Sequence, residues 1–209
     1  MLPQSLFALG PKGDGVEVVP ESARDFDVHV CPGCKRLARH VREQGFDIVV
    51  ERTPPYGALG WAETPRDTIT LISRAFADYL FRSFTHDIRL GRVMLANGRP
   101  LEDWATCIGR TPTLLRGGHM SVYKPCDQCG TRCYHPRNEL YVLRQSLPEY
   151  DITEEGYWGG LLVRERVLAQ IDRKKWKGLK IDPRPVRERP EDNVGDISAD
   201  WYYAGGAVP

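Results

Sequence analysis

Two Cys-x-x-Cys pairs, Cys31-Pro32-Gly33-Cys34 and Cys126-Asp127-Gln128-Cys129, constrain this chain more than any other feature. A tight turn of this kind aims two thiolates at one point, and Gly33 and Gly130 relieve the backbone at the turns. Together the pairs supply the four soft sulfur donors that a tetrahedral structural zinc takes. Local zinc fingers separate their halves by roughly 12–20 residues, whereas 91 residues lie between Cys34 and Cys126. A shared Zn2+ would therefore tie the front of the chain to its back half. The expected metal ligands are Cys31, Cys34, Cys126 and Cys129, in a split, zinc-ribbon-like site of four cysteines.

Two other arrangements of the thiols are open at this level. Cys133 and His135 lie just beyond the second pair, and Cys126-x-x-Cys129-x3-Cys133-x-His135 would close a site without the first. Alternatively, Val28-His29-Val30 leading into Cys31-Pro32-Gly33-Cys34 and a basic helix looks like the strand–Cys-Pro-x-Cys–helix start of a glutaredoxin-like thiol oxidoreductase. Lys35 and the helix N-terminus would lower a thiol pKa there. Thr111-Pro112 resembles the loop that carries a cis-proline in such folds. Against this reading, Pro112 follows Cys34 by 78 residues, and Cys126 and Cys129 are left without a role.

Composition narrows the setting. Lys and Arg number 29 and Asp and Glu 28, for a net charge of +1. Bulk affinity for nucleic acid calls for a larger basic excess, so the balance argues against nucleic acid as the main partner. Residues 1–10 do not resemble a secretory leader, and no run of about 18 apolar residues forms a membrane span. Six cysteines in such a chain read as metal or redox chemistry, and not as a disulfide framework. The expected location is the cytoplasm.

Periodicity divides the chain into an irregular N-terminal segment (1–25), a single α+β domain with mixed sheets (26–187), and a Pro-rich, charged, flexible tail (188–209). Val16 to Val19 reads as a short edge strand, and Phe26 to Val30 and Phe46 to Val50 as further strands. Lys35 to Glu43 reads as a helix that Gly45 stops. Two strand–helix–strand units follow one another: Thr68 to Ile72, Arg74 to Arg82 and Ile88 to Leu95, then Leu161 to Val163, Arg164 to Ile171 and Leu179 to Val186. Superposed, Ile72 matches Val163, Phe76 matches Val167, and Leu80 matches Ile171.

No nucleophile elbow, His-Glu-x-x-His or phosphate-binding loop is present, so no residue is assigned a catalytic role. His86-Asp87 reads as a surface pair. The basic run around Trp176 offers a second use of the chain, as a zinc-ribbon nucleic-acid module in which Trp176 stacks on a base. By residue type, Tyr157, Trp158, Trp176 and Trp201 are candidate anchors for a protein partner.

The order of these motifs resembles the double-CXXCG motif proteins, a paralogous family of myxobacteria grouped with toxin-immunity proteins. The resemblance spans roughly residues 26–186. It rests on Cys31-Pro-Gly-Cys34, Cys126-Asp-Gln-Cys129-Gly130, Leu147-Pro148 with Asp151, and Leu162-Val163-Arg164-Glu165-Arg166-Val167 leading to Gly178-Leu179. Lys35 stands where the family name has glycine. The resemblance implies a zinc-stabilised, non-enzymatic protein that neutralises a toxin, encoded nearby, by occluding its active site.

Overall fold

A computed structural model describes residues 5–13, 15–19, 30–34, 41–55, 57–63, 68–156, 160–172, 174–192, 194–195 and 197. The elements are, in chain order, β1 (Leu6–Pro11), β2 (Val16–Glu17), α1 (Val41–Gln44), β3 (Ile48–Val50), β4 (Leu59–Glu63), β5 (Thr68–Ser73), α2 (Arg74–Phe84), β6 (Ile88–Leu95) and β7 (Pro100–Gly109). The second half contributes β8 (Pro112–Thr113), β9 (His119–Pro125), β10 (Arg132–Arg137), β11 (Val142–Leu143), β12 (Ile152–Glu155), β13 (Leu161–Arg164), α3 (Glu165–Gln170), β14 (Leu179–Arg184) and β15 (Val186–Arg187). Mixed sheets with few helices result, an α+β-like and mostly strand architecture. Most of the strand expected from Phe26 and most of the helix expected from Lys35 lie outside the described residues. No helix among the described residues is long and apolar enough to cross a membrane.

Six strands form one sheet in the order β2-β4-β5-β7-β6-β3, and five form a second in the order β14-β1-β13-β12-β8. Both strand–helix–strand units are present, and each is split by a strand from elsewhere. β7 runs antiparallel between β5 and β6. β1 runs antiparallel between β13 and β14. The matched positions share one core: Ile72, Phe76 and Leu80 of the first unit and Val163, Val167 and Ile171 of the second are all buried in the same cluster. In α2 the buried residues Phe76, Ala77, Leu80 and Phe84 lie on one stripe, the helical period that lets a surface helix face a core. Ser73 precedes α2 in extended backbone, but its side chain makes no capping hydrogen bond.

The sheets are covered on their other faces as well. Leu71, next to Ile72, joins Ile48, Val50, Ile69, Val93 and Trp104 in a second cluster. Leu162, next to Val163, meets Leu6, Leu115 and Val142 in another. Full burial of an aliphatic side chain stabilises by about 1.5–3 kcal/mol, so these central strands, apolar on both faces, anchor the sheets. The two sheets approach closely at Gly109, where a Cβ would lie 2.3 Å from the backbone nitrogen of Glu154.

Two features depart from the sequence expectation. The described part of residues 1–25 is not an irregular lead-in. β1 fills an interior position of the five-stranded sheet, with Leu9 in the principal core and Leu6 on the opposite side. Nor is the described part of the tail loose. The buried carboxylate of Asp192 is gripped by Arg116, itself 0% exposed, and Ile197 is buried against Leu114, Met120 and Tyr134.

Asp87 also differs from its reading as a surface residue. It is buried, and its carboxylate accepts N–H bonds of 2.9 Å from both Asp151 and Ile152. Burial outweighs these bonds and raises its pKa above the ordinary value. Asp151 in turn pairs with Arg166, and Arg164 donates to the Pro148 carbonyl at 2.5 Å. The Leu147-Pro148…Asp151 segment is thus folded onto the start of α3.

Candidate metal centre

The second Cys-x-x-Cys pair is the tip of the β9–β10 hairpin. The Cys126 N–H donates to the Thr131 carbonyl (3.0 Å) and the Gly130 N–H to the Cys126 carbonyl (2.7 Å), which closes the turn. Gly130 has φ +70°, a conformation that glycine enters without steric cost. The first pair is a turn following Val30, and it lies directly against this tip. A Cβ on Gly33 would sit 3.0 Å from Cys126 Sγ and 3.0 Å from Gln128 Oε1. A side chain at position 33 would crowd this contact, and Cys126 or Gln128 would have to shift by a few tenths of an ångström to admit it.

This contact gathers four thiols. The sulfurs of Cys31 and Cys126 are 3.6 Å apart, as are those of Cys34 and Cys129. All four lie within 4.8 Å of one another. None of the four is in a disulfide. Four sulfurs at about 2.3 Å around a tetrahedral ion stand about 3.8 Å from each other, so the cluster has the donor set and nearly the dimensions of a four-thiolate metal site. It could hold a metal ion. The pairing joins residues 95 positions apart.

Cys31 is buried and the other three are half-buried. Burial works to raise the Cys31 thiol, but the Cys34 N–H, the Cys129 thiol, the Gly33 N–H and the Cys126 thiol together bring it down to about 7. A thiolate is the form in which cysteine binds a metal. Cys129 shifts upward, with burial the leading cause.

The remaining candidates fall elsewhere. Cys133 and His135 lie on β10 and are not members of the four-thiol group. Cys107 is buried in the principal core, where burial and then the Glu154 charge push its thiol upward. Pro112 opens β8, paired in parallel with β12, and the described residues contain no cis peptide bond. Trp176 packs against Phe76 and Tyr79, with ring centroids at 4.9 and 5.4 Å. The Lys175 ammonium stands 4.9 Å from its centroid. The indole is half-buried at the edge of the core. Tyr157, Trp158 and Trp201 lie outside the described residues.

Sequence reasoning marks Gly33 and Gly130 as turn residues, but it does not single out Thr131, whose carbonyl closes the second turn. It also passes over Val122 and Tyr123 on β9, which are 41% and 55% exposed. The sequence reading assigns no element to His119–Pro125, which the structure makes β9. No protein-family model matches the chain, and no curated protein matches it.

Proposed function

We propose that the chain is a zinc-stabilised, non-enzymatic protein that binds another protein, and that its four-thiol cluster is a structural Zn2+ site of split zinc-ribbon type. The supporting observation is the joining of a turn early in the chain to a hairpin tip by four gathered thiols. A closed set of four protein sulfurs leaves no open position for substrate, which is the pattern of structural and not catalytic zinc. Soft thiolates in a tetrahedral set favour zinc over hard, oxygen-seeking cations. The same ion would hold in place the β9–β10 hairpin, whose exposed Val122 and Tyr123 are the partner contact in this reading. An exposed aromatic beside a rigid turn is the kind of anchor that dominates binding energy. The resemblance to double-CXXCG proteins makes the partner a toxin, blocked by occlusion, and the cytoplasm the place of action.

Elemental analysis of the purified, reduced protein tests the metal: about one zinc per chain is expected, and a folded protein without zinc refutes it. Co-purification with the product of an adjacent toxin gene tests the partner. Tyr123→Ala should abolish that association without changing the melting temperature. Unchanged association with Tyr123→Ala removes the hairpin from the interface.

A further inference from the structure

The Arg116–Tyr141 socket stands apart from the metal centre, and it is built like a peptide-recognition site. Arg116 and Tyr141 are locked to each other by reciprocal backbone hydrogen bonds of 2.8 and 2.9 Å. Both side chains are buried. The guanidinium donates to Asp192, Val194 and Gly195. Nε donates to Asp192 Oδ2 at 2.8 Å, Nη1 to the Gly195 carbonyl at 2.9 Å, and Nη2 to both Asp192 Oδ1 and the Val194 carbonyl. The Tyr141 hydroxyl donates to Asp192 at 2.9 Å and accepts the Glu191 N–H at 2.8 Å. Beside this polar grip, Ile197 is buried among Leu114, Met120 and Tyr134, with Val194 packed against them.

Each element of that grip reads a feature of a linear peptide. A bidentate guanidinium selects a carboxylate by geometry as well as charge. The remaining donors take two main-chain carbonyls, which any sequence offers. The apolar hollow selects an aliphatic side chain five positions after the acid. Arg187, which pairs with Glu191 and lies over the Tyr141 ring at 4.7 Å, adds a second cation for acidic residues. Beyond β15 no described residue lies in a strand or helix. The segment is therefore held by side chains of the body and not by sheet pairing.

We propose that this socket is a binding site for an acidic peptide of another protein, with a carboxylate followed at the fifth position by an aliphatic residue, and that the chain's own Glu191, Asp192, Val194, Gly195 and Ile197 occupy it as an internal competitor. The inference does not depend on the zinc or immunity readings. Tethering places the internal segment at an effective concentration on the order of millimolar, so external peptides gain access when the segment is displaced or weakened.

The test uses the full chain and a fluorescent peptide of residues 188–197, read by anisotropy. Asp192→Ala should bind the peptide at least about tenfold more tightly than the unaltered protein does, because the internal competitor is weakened. A peptide carrying asparagine in place of its aspartate should lose at least about tenfold in affinity. A folded Asp192→Ala protein that ignores the peptide, or that binds both peptides equally, overturns the proposal. Native-state hydrogen exchange of the unaltered protein decides the matter should that variant not fold. The Val194 and Gly195 amides are expected to exchange through an opening at least about a hundredfold more frequent than the one that exposes Leu162. Exchange of those amides only with global unfolding means that the segment is a permanent part of the fold, and overturns it.

Discussion

Substituting one sulfur in each Cys-x-x-Cys turn distinguishes a shared metal from a local one, and the size of the effect follows from chain length. Cys31 and Cys126 are 95 positions apart. Closing a loop of that length removes about 4.7 kcal/mol of chain entropy from the unfolded state at 25 °C, by the relation used for covalent cross-links. A local site spanning residues 126–135 would remove only about 2.5 kcal/mol and would not involve Cys31. Cys31→Ser and Cys126→Ser are therefore each expected to lower stability by about 4–5 kcal/mol. In a chain of this size that corresponds to a melting temperature lower by roughly 10–20 °C. The double variant should cost little more than either single one, since the first substitution already opens the site. A chelator should bring the unaltered protein down to the same melting temperature and leave the variants unmoved. Calorimetry with and without chelator provides the assay. A Cys31→Ser protein that melts within about 2 °C of the unaltered one, or two losses that simply add, would refute the shared site.

The other expectations concern the body of the fold. Gly109→Ala should be among the most damaging single substitutions, lowering stability by several kcal/mol in denaturant titration, because its Cβ would meet the Glu154 backbone at 2.3 Å where neither sheet can yield. Trp176→Ala should cost about 2–4 kcal/mol through the lost contacts with Phe76 and Tyr79, while binding to mixed RNA at low salt stays unchanged. Two buried carboxylates should act on acid stability with opposite signs. Burial tends to raise the Asp192 carboxyl, but Arg116, the Val194 N–H and Tyr141 hold it below the ordinary value. Its contribution is present above about pH 3.9 and is lost as pH falls through its lowered folded pKa. Asp87 is raised chiefly by burial, so its contribution is complete below about pH 3.9 and is lost as pH rises through its folded pKa. Unfolding followed across pH should therefore show a weaker acid-induced loss in Asp192→Asn and a stronger one in Asp87→Asn.

What the sequence revealed was local, and what it concealed was pairing. A Cys-x-x-Cys turn announces itself in four residues, and the matched apolar positions of the two strand–helix–strand units follow from period alone. Nothing in either unit indicates that β7 or β1 will enter it. Leu6-Phe7-Ala8-Leu9 is a weak strand signal next to Gly10, Pro11 and Gly13, so the segment reads as a lead-in until its register with β13 and β14 supplies the hydrogen bonds. Arg116 lies in an apolar run with nothing nearby to mark its partner, which arrives 76 residues later. Asp87 follows a histidine near the end of a helix, a place where an acid is ordinarily solvated. Each of these residues takes its role from a segment too far away for periodicity to register.

The position of β1 has a consequence for how the protein is made. Leu6 pairs with Arg184 in the finished sheet, so β1 waits for a strand synthesised 178 positions later. At roughly 5–20 residues per second, the interval is about 10–35 s. During that time the unpaired edge of β1 and the sulfurs of Cys31 and Cys34 emerge without their partners. The nascent chain therefore passes through a long stage in which an apolar edge and two reactive thiols are open to other molecules. Its yield in the cell should depend on what shelters them until β14 emerges.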